Sequence, residues 1–269
     1  MWNPQGYLAD QLNLVAPQTG QYQPKMNRIQ TLYASSIGKK MVAAITGVIL
    51  LGFLLGHVAG NLKVFTGSTS QGVPHIDEYA QFLKVAGAPL LPAMMGLWIA
   101  RLVLLGALIL HVVTVAQLAM LSAEARPVGY VKTNRRAASL PALWMMFSGG
   151  LILVFVIFHI LHFTTGTIEI GEFTHGYVYN NLAKSFANPL VAIGYSLVMI
   201  VLGFHLNHGI WSLFQTLGLD NPDRNKQLRI LSTGITLAIV LGFMAVPLAF
   251  MSGQMPDVVT YSRELLGGH

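Results

Sequence analysis

Five stretches of the chain are each long and apolar enough to cross a lipid bilayer: roughly Met41–Leu62, Leu91–Leu121, Leu140–Thr165, Pro189–Leu217 and Leu228–Ser252. The hydrocarbon core of a bilayer is about 30 Å thick, a distance an α-helix covers in about 20 residues. Pro92, Pro141 and Pro189 stand at or near the starts of three stretches, where a missing N–H costs nothing. Composition agrees, because only 10% of the 269 residues are charged and 54% are hydrophobic. A soluble domain carries about 25% charged residues and needs them to cover its surface. The same numbers exclude a disordered chain. The sequence therefore predicts an all-α membrane protein with five transmembrane helices.

Two absences narrow its chemistry. With no cysteine, the chain holds no Cys-ligated iron–sulfur cluster, no thioether-linked haem and no disulfide. No glycine-rich phosphate loop follows a predicted strand, so flavin or nucleotide chemistry has no home in it.

The charges divide by side. Lys25, Arg28, Lys39, Lys40, Arg126, Lys132, Arg135, Arg136, Arg224, Lys226 and Arg229 fall on one side of the alternating spans. The other side has Lys63, Lys84, Lys184 and Arg263 against Asp77, Glu78, Glu169, Glu172, Asp257 and Glu264. By the positive-inside bias the N-terminus is expected in the cytoplasm and the C-terminus outside. The net charge of +6 then reports topology rather than nucleic-acid binding. Residues 1–36 read as a polar cytoplasmic tail without the apolar core of a secretion signal, 37–253 as one membrane domain and 254–269 as a short outer tail. The expected location is the cytoplasmic (inner) cell membrane, as a multi-pass protein.

Within this frame the histidines are the informative residues. Six of nine, His57, His111, His159, His162, His205 and His208, lie in the spans, and no span contains a carboxylate. One buried histidine is accounted for by an interhelical hydrogen bond; six over four consecutive spans point to function. With Lys40, Leu121, Leu140 and Leu217 as inner borders, a rise of 1.5 Å per residue places His57 about 25 Å and His159 about 28 Å from the inner side. The same rise places His111 at about 15 Å and His205 at about 18 Å. Each level thus takes one histidine from each of two parallel spans, which suits axial clamping of a planar macrocycle. Two levels predict two stacked haems roughly 10 Å apart along the membrane normal. Zinc fits less well, since it wants four tetrahedral ligands close together. A proton relay would normally include Asp or Glu. Iron with both axial positions filled favours electron transfer. His162 and His208 stand three residues beyond His159 and His205, and spacing leaves open which of each pair would bind. Gly52, Gly56 and Gly60, beside His57, suit close helix packing or a flat ring. Arg101, the one charge deep in a span, is a candidate contact for a propionate or a quinone head.

These residues carry a resemblance. The segments are His57-Val58-Ala59-Gly60-Asn61-Leu62, Trp98 with Arg101 and His111, Ala125-Arg126-Pro127-Val128-Gly129-Tyr130, Ser148-Gly149 ten residues before His159, and Phe204-His205-Leu206-Asn207-His208-Gly209-Ile210-Trp211 running on to Gly218. In order and spacing the chain resembles, over nearly all of residues 30–252, the five-helix cytochrome b anchor of succinate:quinone oxidoreductases (succinate dehydrogenase) and fumarate reductases, in its single-anchor, two-haem form. The resemblance implies iron ligation by His57 and His159 for an outer haem b and by His111 and His205 for an inner one, selecting His159 over His162 and His205 over His208. It also implies a flavoprotein subunit and an iron–sulfur subunit on the cytoplasmic face. The succinate chemistry would lie on those subunits, and electrons would pass through two haems to a quinone, with menaquinone associated with this form. The glutamate that some fumarate reductases carry in the fourth span is missing from Leu202-Gly203-Phe204-His205, so that proton route is not implied, and the quinone residues do not align. Two other readings of the histidines are the anchor of a different dehydrogenase, such as a hydrogenase or formate dehydrogenase, and a haem-free transporter.

Overall fold

A computed structural model describes residues 27–124 and 140–256. Among the described residues the regular structure is helical: α1 (Arg28–Ala34), α2 (Ser36–Leu62), α3 (His75–Val85), α4 (Met95–Glu124), α5 (Leu140–His159), α6 (Val178–Phe186), α7 (Pro189–Thr216) and α8 (Asn225–Met251). A 3-10 turn, Lys63–Thr66, extends α2, and a π turn, Ile160–Thr164, extends α5. Five of these elements, α2, α4, α5, α7 and α8, are long and apolar enough to cross a membrane; the shortest, over Trp144–Thr164, has 21 residues, which at 1.5 Å per residue just spans the hydrocarbon core of about 30 Å. The protein is a multi-pass membrane protein. The basic loop from Ala125 to Arg136, most of the N-terminal tail and the C-terminal tail from Asp257, including Arg263 and Glu264, lie outside the described residues.

The end of the expected tail is helical. Asn27 and Gln30 form a reciprocal capping box, with 2.8 Å from the Gln30 N–H to Asn27 Oδ1 and 3.0 Å from the Asn27 N–H to Gln30 Oε1. Ser35 ends α1 in an extended conformation and caps α2 with the same residue, accepting from the Gly38 N–H at 3.0 Å. The elbow needs glycine at 38, because a Cβ there would run into the Leu32 carbonyl. Lys39 Nζ donates to the Tyr33 and Ala34 carbonyls at 2.9 and 3.1 Å, satisfying acceptors that the end of α1 leaves open. Tyr33 then reaches α4, its hydroxyl donating to Gln117 Oε1 at 3.0 Å.

Spans consecutive in the chain are antiparallel. The pairs α2–α4 and α5–α7 each pack along their length, α8 packs most extensively on α7, and α2 joins the two groups through α8 and α7. Close approach is bought with glycine: a Cβ at Gly203 would stand 3.1 Å from Val240, and one at Gly242 2.6 Å from Val58. The outward faces are apolar, with Leu102, Val154, Ile230 and Leu241 all exposed, as lipid contact requires. Span two begins at Met95 rather than Leu91; Pro92 and Met94, at φ 69°, hold the preceding residues out of a right-handed helix.

Two short helices close the end opposite Lys39 and Lys40, here called the acidic end. α3 and α6 were not anticipated from hydropathy, since both are amphipathic and short. Their inward residues, among them Ile76, Tyr179, Leu182 and Phe186, form a core with Val64, Tyr195 and Phe250 from the spans. Asp77, fully buried, accepts from the Tyr179 N–H at 3.1 Å and so caps α6 from α3.

Candidate functional site

At the acidic end, α2 and α5 bring His57 and His159 together with ring centroids 6.0 Å apart and planes at 81°. The spans run parallel and the two histidines lie near their ends, so the pairing follows from equal depth. Their surroundings are aromatic. Phe53 stacks on His57 at 5.1 Å, and Phe243 stands 5.5 Å from it. Phe155, Phe163 and Tyr195 stand 5.8, 5.8 and 6.1 Å from His159. His159 Nδ1 is buried and has no hydrogen-bond partner. A buried polar atom left unpaired costs about 1–3 kcal/mol, so this ring, unlike His111, His162 and His205, is placed by packing rather than by a hydrogen bond.

Nearer the basic end, two histidines are held in another way. His111 Nδ1 lies 3.2 Å from the Ala43 carbonyl and 3.1 Å from Thr46 Oγ1. A carbonyl only accepts, so Nδ1 carries the proton, and the Thr46 hydroxyl in turn donates to the Val42 carbonyl at 2.8 Å. His205 Nδ1 lies 3.3 Å from Ser148 Oγ, whose own proton goes to the Met145 carbonyl at 3.0 Å. In both rings the Nδ1 proton is committed to the protein, and the neutral imidazole keeps its lone pair on Nε2, the form in which histidine binds a metal.

The two holders match. Thr46-Gly47 stands as far before His57 as Ser148-Gly149 stands before His159. Each hydroxyl receives a histidine from the next span, and each glycine lies against that ring: a Cβ would come into ordinary contact with His111 Cε1 at 3.5 Å from Gly47 and with His205 Cε1 at 3.4 Å from Gly149. Spans one and three thus serve both levels, with a hydroxyl at one and an imidazole at the other. The sequence already showed Ser148-Gly149; its counterpart Thr46-Gly47 and the role of both hydroxyls were visible only with the helices in place.

No protein-family model, curated protein or solved structure matches this chain. What the site can do is therefore read from its donors. Among the described residues no three of His, Cys, Asp and Glu group to hold a metal ion. Each level offers imidazole nitrogens and no charge to balance. That donor set suits an ion whose other positions are filled by its own macrocycle. His57 and His159, with ring centroids 6.0 Å apart, are the residues that would hold such a group at the acidic end.

The remaining candidates separate. His162 is fully committed: the Ser185 hydroxyl donates to the Ile170 carbonyl at 3.1 Å, so it accepts from His162 Nε2 at 3.1 Å, and Tyr195 Oη donates to His162 Nδ1 at 2.8 Å. Neither nitrogen is left for a metal. His208 is half-buried. Arg101 is exposed, with its guanidinium 5.0 Å over the Trp98 ring. Of the three glycines beside His57, Gly52 and Gly56 face open space, whereas Gly60 receives Tyr79 from α3, so close that a Cβ would lie 2.7 Å from its ring. A groove of about 360 Å3 between α2 and α4, lined by apolar side chains, reaches Thr46 from the side.

Proposed function

We propose that the chain is the cytochrome b membrane anchor of a succinate:quinone oxidoreductase or fumarate reductase, binding one b haem between His57 and His159 and another between His111 and His205. The observation that supports the reading is the close approach of His57 and His159 inside the bundle, beside which His111 and His205, from spans two and four, each hold the Nδ1 proton on a neighbouring span. When bound, the haems supply one-electron transfer. The chain's own part is placement. Thr46 and Ser148 set the tautomer and tilt of the basic-end rings, Phe53, Phe155 and Phe243 wall the acidic-end rings, and α3 and α6 cover that level from water.

The basic end, with Lys39, Lys40, Arg224, Lys226 and Arg229, lies in the cytoplasm by the positive-inside bias. An iron–sulfur subunit and a flavoprotein dock there, and a quinone, menaquinone by the family resemblance, takes or gives electrons in the membrane. Arg101, exposed on span two, is placed to meet a quinone head or a propionate. The chain isolated from its own membrane in mild detergent should carry a flavoprotein and an iron–sulfur protein, and succinate should reduce its haems. A haem-bearing chain accompanied by a different dehydrogenase, whose haems ignore succinate, would contradict the reading.

A further inference from the structure

We infer that His162 is a positioning residue for His159: acting through Tyr195, it sets the plane of the His159 imidazole and with it the angle between the two histidines of the acidic-end pair. The inference rests on the haem reading above.

His159 differs from its counterparts in how it is held. His111 and His205 are fixed through Nδ1 by hydrogen bonds; His159 Nδ1 has none. Its rotation is set by walls. Phe155 and Phe163 stand one turn to either side on the same span and turn with it, whereas Tyr195 comes from α7 and is the wall that ties the ring to the rest of the bundle. The Tyr195 ring stands 6.1 Å from His159 at 62°, and its hydroxyl is held by His162 at 2.8 Å.

The lock has a defined direction. Tyr195 donates to His162 Nδ1, His162 Nε2 donates to Ser185, and Ser185 donates to the Ile170 carbonyl. Every donor ends on an acceptor, so the chain joins α7, the end of span three, the following loop and α6. His162 is 2% exposed, and water does not compete for these bonds. Its place in the chain depends on the π turn that begins directly after His159, closed by the bond from the Thr165 N–H to the Ile160 carbonyl at 3.0 Å. Residues three apart on an α-helix share a face. The wider turn carries His162 toward α6 while His159 faces His57, and such turns recur at functional sites.

The angle between axial imidazole planes is readable. Perpendicular planes leave two iron d orbitals close in energy and give a strongly anisotropic low-spin ferric EPR signal; turning the planes toward parallel separates those orbitals and lowers the largest g value. The test uses the full chain in its membrane complex, with wild type, Tyr195→Phe, His162→Phe, the double variant and His162→Gln. The wild type should show two haems per chain, one with a strongly anisotropic signal. Tyr195→Phe and His162→Phe should each shift that signal and leave the other unchanged, and the double variant should shift it no further than either alone, because the two act as one unit. His162→Gln, which can still accept from Tyr195, should stay nearer the wild type. Unshifted signals in both single variants, with two haems retained, would overturn the positioning role. If His162→Phe does not assemble, Tyr195→Phe alone decides. A wild type without haem would overturn the underlying reading instead.

Discussion

The imidazoles of His57 and His159 lie 6.0 Å apart, centroid to centroid, with their planes at 81°. They come from spans separated by 102 positions in the chain and meet because both spans run the same way and place a histidine at nearly the same depth. In a low-dielectric wall of Phe53, Phe155 and Phe243, two neutral imidazoles with no carboxylate beside them gain nothing from each other as charges.

The basic-end level depends on its hydroxyls. Ser148→Ala removes the hydroxyl that accepts the His205 Nδ1 proton, and Thr46→Val removes one of the two acceptors of the His111 Nδ1 proton, leaving the Ala43 carbonyl and so the smaller effect. Losing such an outer partner costs a bound metal centre about 10–100-fold in affinity. Each variant should release the basic-end haem faster to an external haem acceptor and leave the acidic-end haem in place. Equal loss from both levels would contradict the division of labour between the hydroxyls at the basic-end level and the imidazoles of His57 and His159 at the other.

The acidic-end cover depends on Asp77. Asp77→Ala takes away the acceptor for the Tyr179 N–H and should destabilise the packing of α3 on α6 by about 1–3 kcal/mol. Asp77→Asn, which keeps a side-chain oxygen, should cost less. Hydrogen exchange over 75–85 and 178–186 reads this directly, with faster exchange expected in the alanine variant.

Glycine at 242 is a contact requirement between α8 and α2. An added methyl would sit 2.6 Å from Val58 Cγ2, beside His57, so Gly242→Ala forces the helices apart or turns Val58. Overpacking of this kind costs about 1–3 kcal/mol. The melting temperature of the purified protein should fall, while Gly234→Ala, whose Cβ meets nothing within 4 Å, should leave it unchanged or raise it.

Outside the membrane, Lys184 pairs with Glu172 at 2.7 Å, and the hydrogen bond and charge of Lys184 hold the Glu172 carboxyl below the usual range. A carboxylate with a depressed folded-state pKa contributes stability that is present above its unfolded pKa and is lost as pH falls through the folded value. The pair is exposed, so the effect is small and weakens with salt. Glu172→Gln should remove that part of the acid sensitivity of the 166–186 region, giving slightly faster exchange near neutral pH, where the pair is lost, and no difference at low pH, as followed by hydrogen exchange against pH.

Much of this was legible in the residues. The spans announce themselves through unbroken apolar runs, and the levels of His57 with His159 follow from helical rise alone. The elements that escaped are those whose signal is short or non-local. α3 and α6 are too brief and too polar to stand out beside a membrane span, and Asp77 reads as an ordinary acidic loop residue until Tyr179 is seen above it. Asn27-Arg28-Ile29-Gln30 did carry a capping-box pattern, lost within a polar tail. Spacing could not separate His159 from His162, because the π turn that separates them has no sequence mark; the partners Tyr195 and Ser185 do the separating, and both are remote in the chain.

The most direct test is a pyridine haemochrome count and a reduced-minus-oxidised spectrum of the purified complex, for the wild type and for His57→Ala, His159→Ala, His111→Ala and His205→Ala. The wild type should hold two b haems per chain. His57→Ala and His159→Ala should each lose the same one, and His111→Ala and His205→Ala the other. A colourless wild type, or four variants that keep both haems, would contradict the account.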